Sequence, residues 1–454
     1  MNENETTQGK RRRLIIPYVL IILLLICIGA FVLYRLCSES KIQARIDAIR
    51  AAGYPATCVE LDKWYTIPDN VENAAYKFID AFSYYKLWDK EKSESLPVVG
   101  QGEFPARTEP LDKEMKALIT QYVVDNNEAL KLLHAGAAIE HSRYPIDLSA
   151  GFATLVPNLS DIRTAARLLK LEGILHAENR NNELAVRSVI SIFGIARSLE
   201  KEPVLISQLA RSSCKILAVT TIEYCINRIE FSDEQLIQLI DCIQNTERVS
   251  GMSRAFVGER CLGLSFFNEP ESVNMNIIRG IPYRRIHKVY NAVGLLDSDT
   301  IIYLDIMSEY VNSSKLPLHR RQEAFKAINT RLQSTSRVHV LLHIMMPALS
   351  RVVAFDLGAI ARLRTARVAL AIERYRLATG KLPGKLTDLV PGYLDSVPTD
   401  PFDGKELRYK KLDVGFVVYS VSEDLSDDGG KECPPRNKRT EESSNWDETF
   451  IIRR

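Results

Sequence analysis

The chain has 454 residues, 46% hydrophobic and 26% charged, a composition that supports a folded core and excludes a disordered or low-complexity polymer. With 59 basic residues against 57 acidic ones, the net charge is only +2. No overall electrostatic field therefore recommends a nucleic-acid partner.

The first element is Leu14 to Tyr34, an uncharged run of 21 residues that as a helix spans the roughly 30 Å of a bilayer's hydrocarbon core. No small-x-small cleavage site follows it, as a signal peptide would require. Ile26 precedes Cys27 and Leu36 precedes Cys37, where lipoprotein processing needs a small residue. Four basic residues, Lys10 to Arg13, abut its N-terminal end and only Arg35 abuts the other, while Lys41, Arg45 and Arg50 further out even the count; the positive-inside reading is N-terminus in the cytoplasm and bulk outside. The resulting plan is a cytoplasmic basic tail (1–13), a transmembrane helix (14–34), and a stalk, helix and loop (35–110). A helical array (111–351) and a C-terminal module (352–454) follow.

Ser38 to Ala52 continues the anchor as a helical stalk, ended by Gly53 and Pro55. Within Asn70 to Trp88, the residues Ala74, Phe78, Phe82 and Tyr85 define one apolar helix face. Ser93 to Pro110 reads as a surface loop. Asp161–Ala177, Glu183–Leu199 and Val204–Ile229 are amphipathic runs joined by short polar turns, which predicts antiparallel neighbours. Ser232 and Gln235 form a capping box for the next helix. Ala255 to Ile286 reads as less regular, before helices at Ser298–Val311 and His319–Leu349. Cys214, Cys225, Cys242 and Cys261 lack CxxC spacing and read as buried thiols, a disulfide among them being the alternative.

Val352 to Ala378 is a long helix with Phe355, Ala359, Leu363, Ala366, Leu370 and Leu377 on one face, arginines and Glu373 on the other, and Gly380 as its C-cap. A short helix stopped by Pro391 follows, then a hairpin of Glu406–Leu412 and Gly415–Val421 around Asp413, and a last strand at Phe450–Ile452. The run IERYRLATGKLP, then Asp400-Pro401-Phe402-Asp403-Gly404, Leu407-Arg408-Tyr409, Phe416, Tyr419-Ser420-Val421 and an acidic Gly-containing loop resembles the globular head of the type II secretion major pseudopilin. The whole chain also resembles a group of planctomycete membrane-anchored envelope proteins. Together these readings give a mainly α fold: a transmembrane helix, a large extracytoplasmic helical array and a small α+β pseudopilin-like module. The chain departs from pseudopilins where Gly9 is followed by Lys10 to Arg13 rather than by a processed helix, and where the array separates anchor from module.

The acidic loop offers Asp424, Ser426, Asp427 and Asp428 in the spacing that opens a calcium loop, and the pseudopilin resemblance implies calcium there. Position twelve, a bidentate Glu in an EF-hand, is Pro435, so Glu432 or a carbonyl would complete the set. A solvated acidic turn is the other reading of the same residues. His339 and His343 stand four apart, but Val340 occupies the place of the catalytic Glu of HExxH. No P-loop or GxGxxG occurs, and Gly263-Leu264-Ser265-Phe266-Phe267 lacks the second glycine of a nucleophile elbow. Glu259, Arg260, Glu269 and Glu271 form the remaining candidate for acid–base chemistry. The expectation is a non-enzymatic, membrane-anchored binding or scaffold protein of the envelope, with envelope or secretion proteins as partners. A secretion-machine component and a membrane-bound hydrolase are the alternatives, and the hydrolase predicts a polar cleft with perturbed carboxylates.

Overall fold

The structure is a computed structural model that describes residues 3–454 except 249–250, 272, 274–275, 279, 347–348 and 435–444. Its described helices are α1 (Glu3–Ala51), α2 (Cys58–Trp64), α3 (Ala74–Ser83), α4 (Lys90–Glu94), α5 (Lys113–Asp125), α6 (Asn127–Ala138), α7 (Leu159–Glu178) and α8 (Asn182–Ser198). They continue as α9 (Leu205–Ile226), α10 (Asp233–Arg248), α11 (Met252–Asn268), α12 (Tyr283–Ala292), α13 (Leu295–Ser313), α14 (Leu318–Ser334), α15 (Val340–Met345) and α16 (Ser350–Thr379). The strands are β1 (Asn276–Ile278) and β2 (Ile281–Pro282), one small hairpin, and β3 (Arg408–Lys411), β4 (Phe416–Ser420) and β5 (Glu448–Ile452), an antiparallel sheet with β4 in the middle.

Antiparallel packing of α7, α8 and α9 follows from their short connections. Between α7 and α8, Arg180 takes a left-handed φ of 59°, and the Asn181 side chain accepts from the Leu184 amide at 3.2 Å to start α8. Before α10, the Ser232 amide donates to Gln235 Oε1 at 3.0 Å and the Gln235 amide donates to Ser232 Oγ at 3.3 Å, the reciprocal pair the spacing predicts. None of the eight cysteines is in a disulfide, and Cys214, Cys225 and Cys261 are buried thiols.

α16 is the central helix. Its C-terminal part packs on α9 and α10 and on the sheet, so Leu363, Ala366, Val368, Ala369, Leu370, Ala371 and Ile372 share a core with α7, α8, β4 and β5. A side-chain truncation here, such as Leu370→Ala, costs about 2–5 kcal/mol. The expected outer face at Glu373 is overturned. Glu373 is buried because α16 has protein on nearly every side there, and Arg376 (2.9 Å) and Arg454 (2.5 Å) neutralise it. Phe355 and Leu377, expected inside, are exposed near the helix ends.

Two other expectations change. Ala255 to Asn268 belongs to the regular helix α11, whose Gly258 fits because a Cβ would meet the Pro203 carbonyl at 1.6 Å. His319 to Leu349 is broken at Thr335, whose extended backbone ends α14 before α15 begins.

Pro17–Ala51 of α1 is long and apolar enough to cross a membrane, and almost every side chain from Tyr18 to Leu33 is exposed. From Tyr34 onward the same helix docks on the body. Tyr34 donates to the Gly294 carbonyl (3.1 Å), Arg35 pairs with Asp297 (3.0 Å), and Arg45 makes a bidentate pair with Asp305 (2.7 and 2.8 Å). Ile42, Ile46 and Ile49 enter a second core built from α11, α13, α14, α15 and the first half of α16.

Candidate functional site

A cleft of about 1200 Å³, its lining mixed polar and apolar, opens where three parts of the chain meet: the loop 100–107, the α7, α9 and α16 helices, and residues 432–434 after the acidic loop. Helical spacing on α9 brings Thr220, Glu223 and Tyr224 to one wall, and Lys170 faces them from α7. Lys170 donates to Thr220 Oγ1 at 2.8 Å. Burial pushes its ammonium down to about 8, with Glu223 opposing that effect. The Glu223 carboxyl is raised by its own burial, against the pull of Arg107. Glu223 also accepts from the Ile451 amide at 2.8 Å, which ties β5 to α9.

The cleft's arginines are held by glutamates. Arg107 reaches from its loop to Glu223 (3.2 Å) and Glu432 (2.6 Å). Arg228 pairs with Glu178 at 2.8 Å and lies 3.5 Å from the Tyr224 ring centre, while Arg362 pairs with Glu448 at 2.7 Å. Lys170 differs from these arginines because its hydrogen bond goes to a neutral hydroxyl. An anionic group entering the cleft would therefore gain most at Lys170, whose charged form lacks a bonded counter-ion.

The acidic loop lies beside this cleft. Asp424 accepts from the Ser426 amide (3.1 Å) and Asp427 from the Gly429 amide (3.0 Å), two local turns. Asp427 also sits 3.7 Å from Arg408, which clamps the buried Asp400 at 2.6 Å. Glu432 is turned away toward Arg107, and Pro435 lies outside the described residues. Asp447, ahead of β5, takes its place: it is 1% exposed and accepts from the Gly430 amide (2.8 Å) and the Asp428 amide (3.5 Å). Burial raises the Asp447 carboxyl, and Asp427 and Asp428 raise it further. Asp428 Oδ2 is buried without a hydrogen-bond partner. Asp447 thus sits within reach of the charge of Asp427 and of Asp428, the latter keeping one oxygen without a hydrogen bond. Among the described residues, no three His, Cys, Asp or Glu side chains yet close around one point as a metal cage.

The remaining candidates are occupied structurally. His339 precedes α15 with non-helical backbone and bonds the buried Asp299 at 2.5 Å, whereas His343 is exposed, and among the described residues no three His, Cys, Asp or Glu side chains there form a metal-holding group. Glu259 accepts from the Leu205 amide at 2.9 Å, supplying the start of α9, and Arg260 is buried against the Pro55 carbonyl (3.5 Å). Glu271 pairs with Arg284 at 2.5 Å. These side chains do not converge on one reacting centre.

One constellation has no sequence signature. His134 on α6 contacts Ser191 of α8 through Nδ1 (2.7 Å) and Glu172 of α7 through Nε2 (2.9 Å), and Ser188 donates to Glu172 at 2.6 Å. The residue types match a hydrolase triad, but Ser191 is 4% exposed in mid-helix, where the surrounding amides serve the helix and leave no oxyanion donors. It is a satisfied buried network. No protein-family model, curated protein or solved structure matches the chain.

Proposed function

We propose that this chain is a single-pass membrane protein of the cell envelope, its N-terminus cytoplasmic and its body extracytoplasmic, which binds an anionic ligand in the Lys170 cleft and catalyses no reaction on it. The carrying observation is Lys170 itself, a buried cation whose hydrogen bond goes to Thr220 in a cleft large enough for a small acidic molecule or an acidic side chain. The asymmetry of Lys10 to Arg13 against Arg35 supports the orientation. The test is thermal unfolding of the detergent-solubilised full chain with inorganic phosphate and with succinate as probes. Stabilisation at neutral pH that disappears in Lys170→Met supports the reading, since a ligand of the folded state stabilises it by mass action. An equal response in the variant rejects it.

A second reading, a pseudopilin-like component associated with a secretion machine, is supported by the order of α16, the β3–β4–β5 sheet and the acidic loop. In that reading calcium would have to draw Asp427, Asp428 and Asp447 together, with Asp424 and Ser426 shaping the turn and Glu432 committed to Arg107. Calcium should raise the unfolding temperature of the full chain, and Asp427→Ala with Asp428→Ala should remove that response. No calcium effect in the unaltered chain leaves the loop a solvated turn.

A further inference from the structure

We propose that α12 is a second membrane contact, lying on the bilayer surface beside the point where α1 leaves it. The inference rests on α1 being a membrane anchor. The depth of α12 follows from contacts with that helix. Gly294, just past the end of α12, is level with the last turn of the apolar run: a Cβ there would stand 2.8 Å from the Tyr34 ring and 3.4 Å from that of Phe31. Arg35, the first charged residue after the run, donates to Asn291 Oδ1 at 2.9 Å and to the Asn291 carbonyl at 3.1 Å.

Direction follows from the next contacts. Arg35 meets Asp297 and Arg45 meets Asp305, so α13 and the upper part of α1 run side by side in the same sense, away from the apolar run. The start of α13 is therefore the membrane-proximal end of the body. α12 joins that end through Val293 and the left-handed Gly294 (φ 75°), which places it at the base.

Its composition suits that place. Tyr283, Ile286 and His287 face inward, and His287 Nε2 is 2.7 Å from the Phe267 carbonyl. The outer surface carries Arg285, Lys288, Val289 (62% exposed) and, just beyond the helix, Val293 (54% exposed), with Ile281 exposed just before it. Arg284 is on the same side and is paired with Glu271. Tyr290 donates to the carbonyl of the exposed Val338 at 2.8 Å, bringing one more apolar side chain to the same region. Exposed valines among cations are what an interfacial helix presents, the apolar groups entering the headgroup boundary and the cations meeting lipid phosphates. Continuity with the anchor makes the bilayer the occupant, because a soluble partner would have to share the surface with headgroups packed around Tyr34 and Arg35.

The test uses tryptophan quenching in the full chain, reconstituted in nanodiscs of phosphatidylcholine with or without phosphatidylglycerol and with or without brominated acyl chains. The native tryptophans, Trp64, Trp88 and Trp446, give the baseline. Val289→Trp should add emission of which roughly half is lost to the brominated lipid, and phosphatidylglycerol should deepen the loss. Arg285→Glu with Lys288→Glu in that background should remove the deepening while thermal unfolding stays cooperative. Leu25→Trp, within the apolar run, serves as reference. If Leu25→Trp is quenched and Val289→Trp is not, the α12 proposal falls and the anchor stands; if neither is quenched, the anchor reading itself fails.

Discussion

Glu202 is a carboxyl placed where water does not reach it: it is 1% exposed, accepts from Ser207 and lies 3.4 Å from the Tyr65 hydroxyl. Burial raises it to about 7, against about 4.3 in an unfolded chain. A folded-state value above the unfolded one means the protonated carboxyl favours folding. Its contribution is complete below about pH 4.3 and is lost as pH rises through about 7. Glu202→Gln should therefore stabilise the body by about 2 kcal/mol at pH 8 and change little at pH 4, in thermal unfolding at both values. A variant destabilised equally at both pH values would show that the carboxyl's hydrogen bonds outweigh its ionisation. The same physics made the site residues hard to read from sequence. Lys170 and Glu223 look like ordinary charges on amphipathic helices, and only the closure of the 100–107 loop and β5 over them removes their water. Asp447 lies 17 and 19 residues beyond the loop amides it accepts from, across a separate stretch of chain, so local spacing had no means of including it.

Helices with strong local signals were legible. α7, α8, α9 and α10 carry apolar periodicity and polar turns, and the Ser232–Gln235 capping box forms as its spacing requires. Ser232→Ala should cost about 1 kcal/mol, read as a lowered urea midpoint with unchanged slope. No loss would mean that packing of Leu236 and Leu239 alone sets where α10 begins. Failures came where tertiary contacts override local pattern. By sequence this segment reads as irregular because of Gly258-Glu259-Arg260 and Pro270, yet Gly258 is where Pro203 approaches the helix α11. The break between α14 and α15 lies in a stretch that reads as continuous helix, and it lets His339 reach the buried Asp299. By sequence α16 is two-faced, its arginines opposite its leucines, whereas in its C-terminal half those arginines bridge to Glu247, Asp233 and Glu373.

At the scale of the molecule, the two largest hydrophobic cores among the described residues cut across sequence order. The first runs from Cys58 to Ile452 and joins the array helices, the second half of α16 and the sheet; the second takes in the upper part of α1 and the first half of α16. Elements that share a core cannot lose it separately, so the body should unfold as one unit. Polar clamps strengthen the junction. Asn227, at the end of α9, donates to the Ile451 carbonyl at 2.9 Å and accepts from the Arg453 amide at 2.8 Å, and Arg454 reaches both Glu373 and the Ile229 carbonyl. Asn227→Ala strands the Ile451 carbonyl of the last strand and the Arg453 amide just past it, and should cost about 2–3 kcal/mol. In calorimetry of the full chain in detergent, one heat-absorption peak should move to lower temperature without dividing. A peak that splits, the smaller part leaving first, would mean that β3, β4 and β5 fold as an independent module on α16. The cleft between α9, α16 and residue 432 would then be a mobile seam between two bodies, and the fixed geometry around Lys170 and Glu223 would no longer explain its charge.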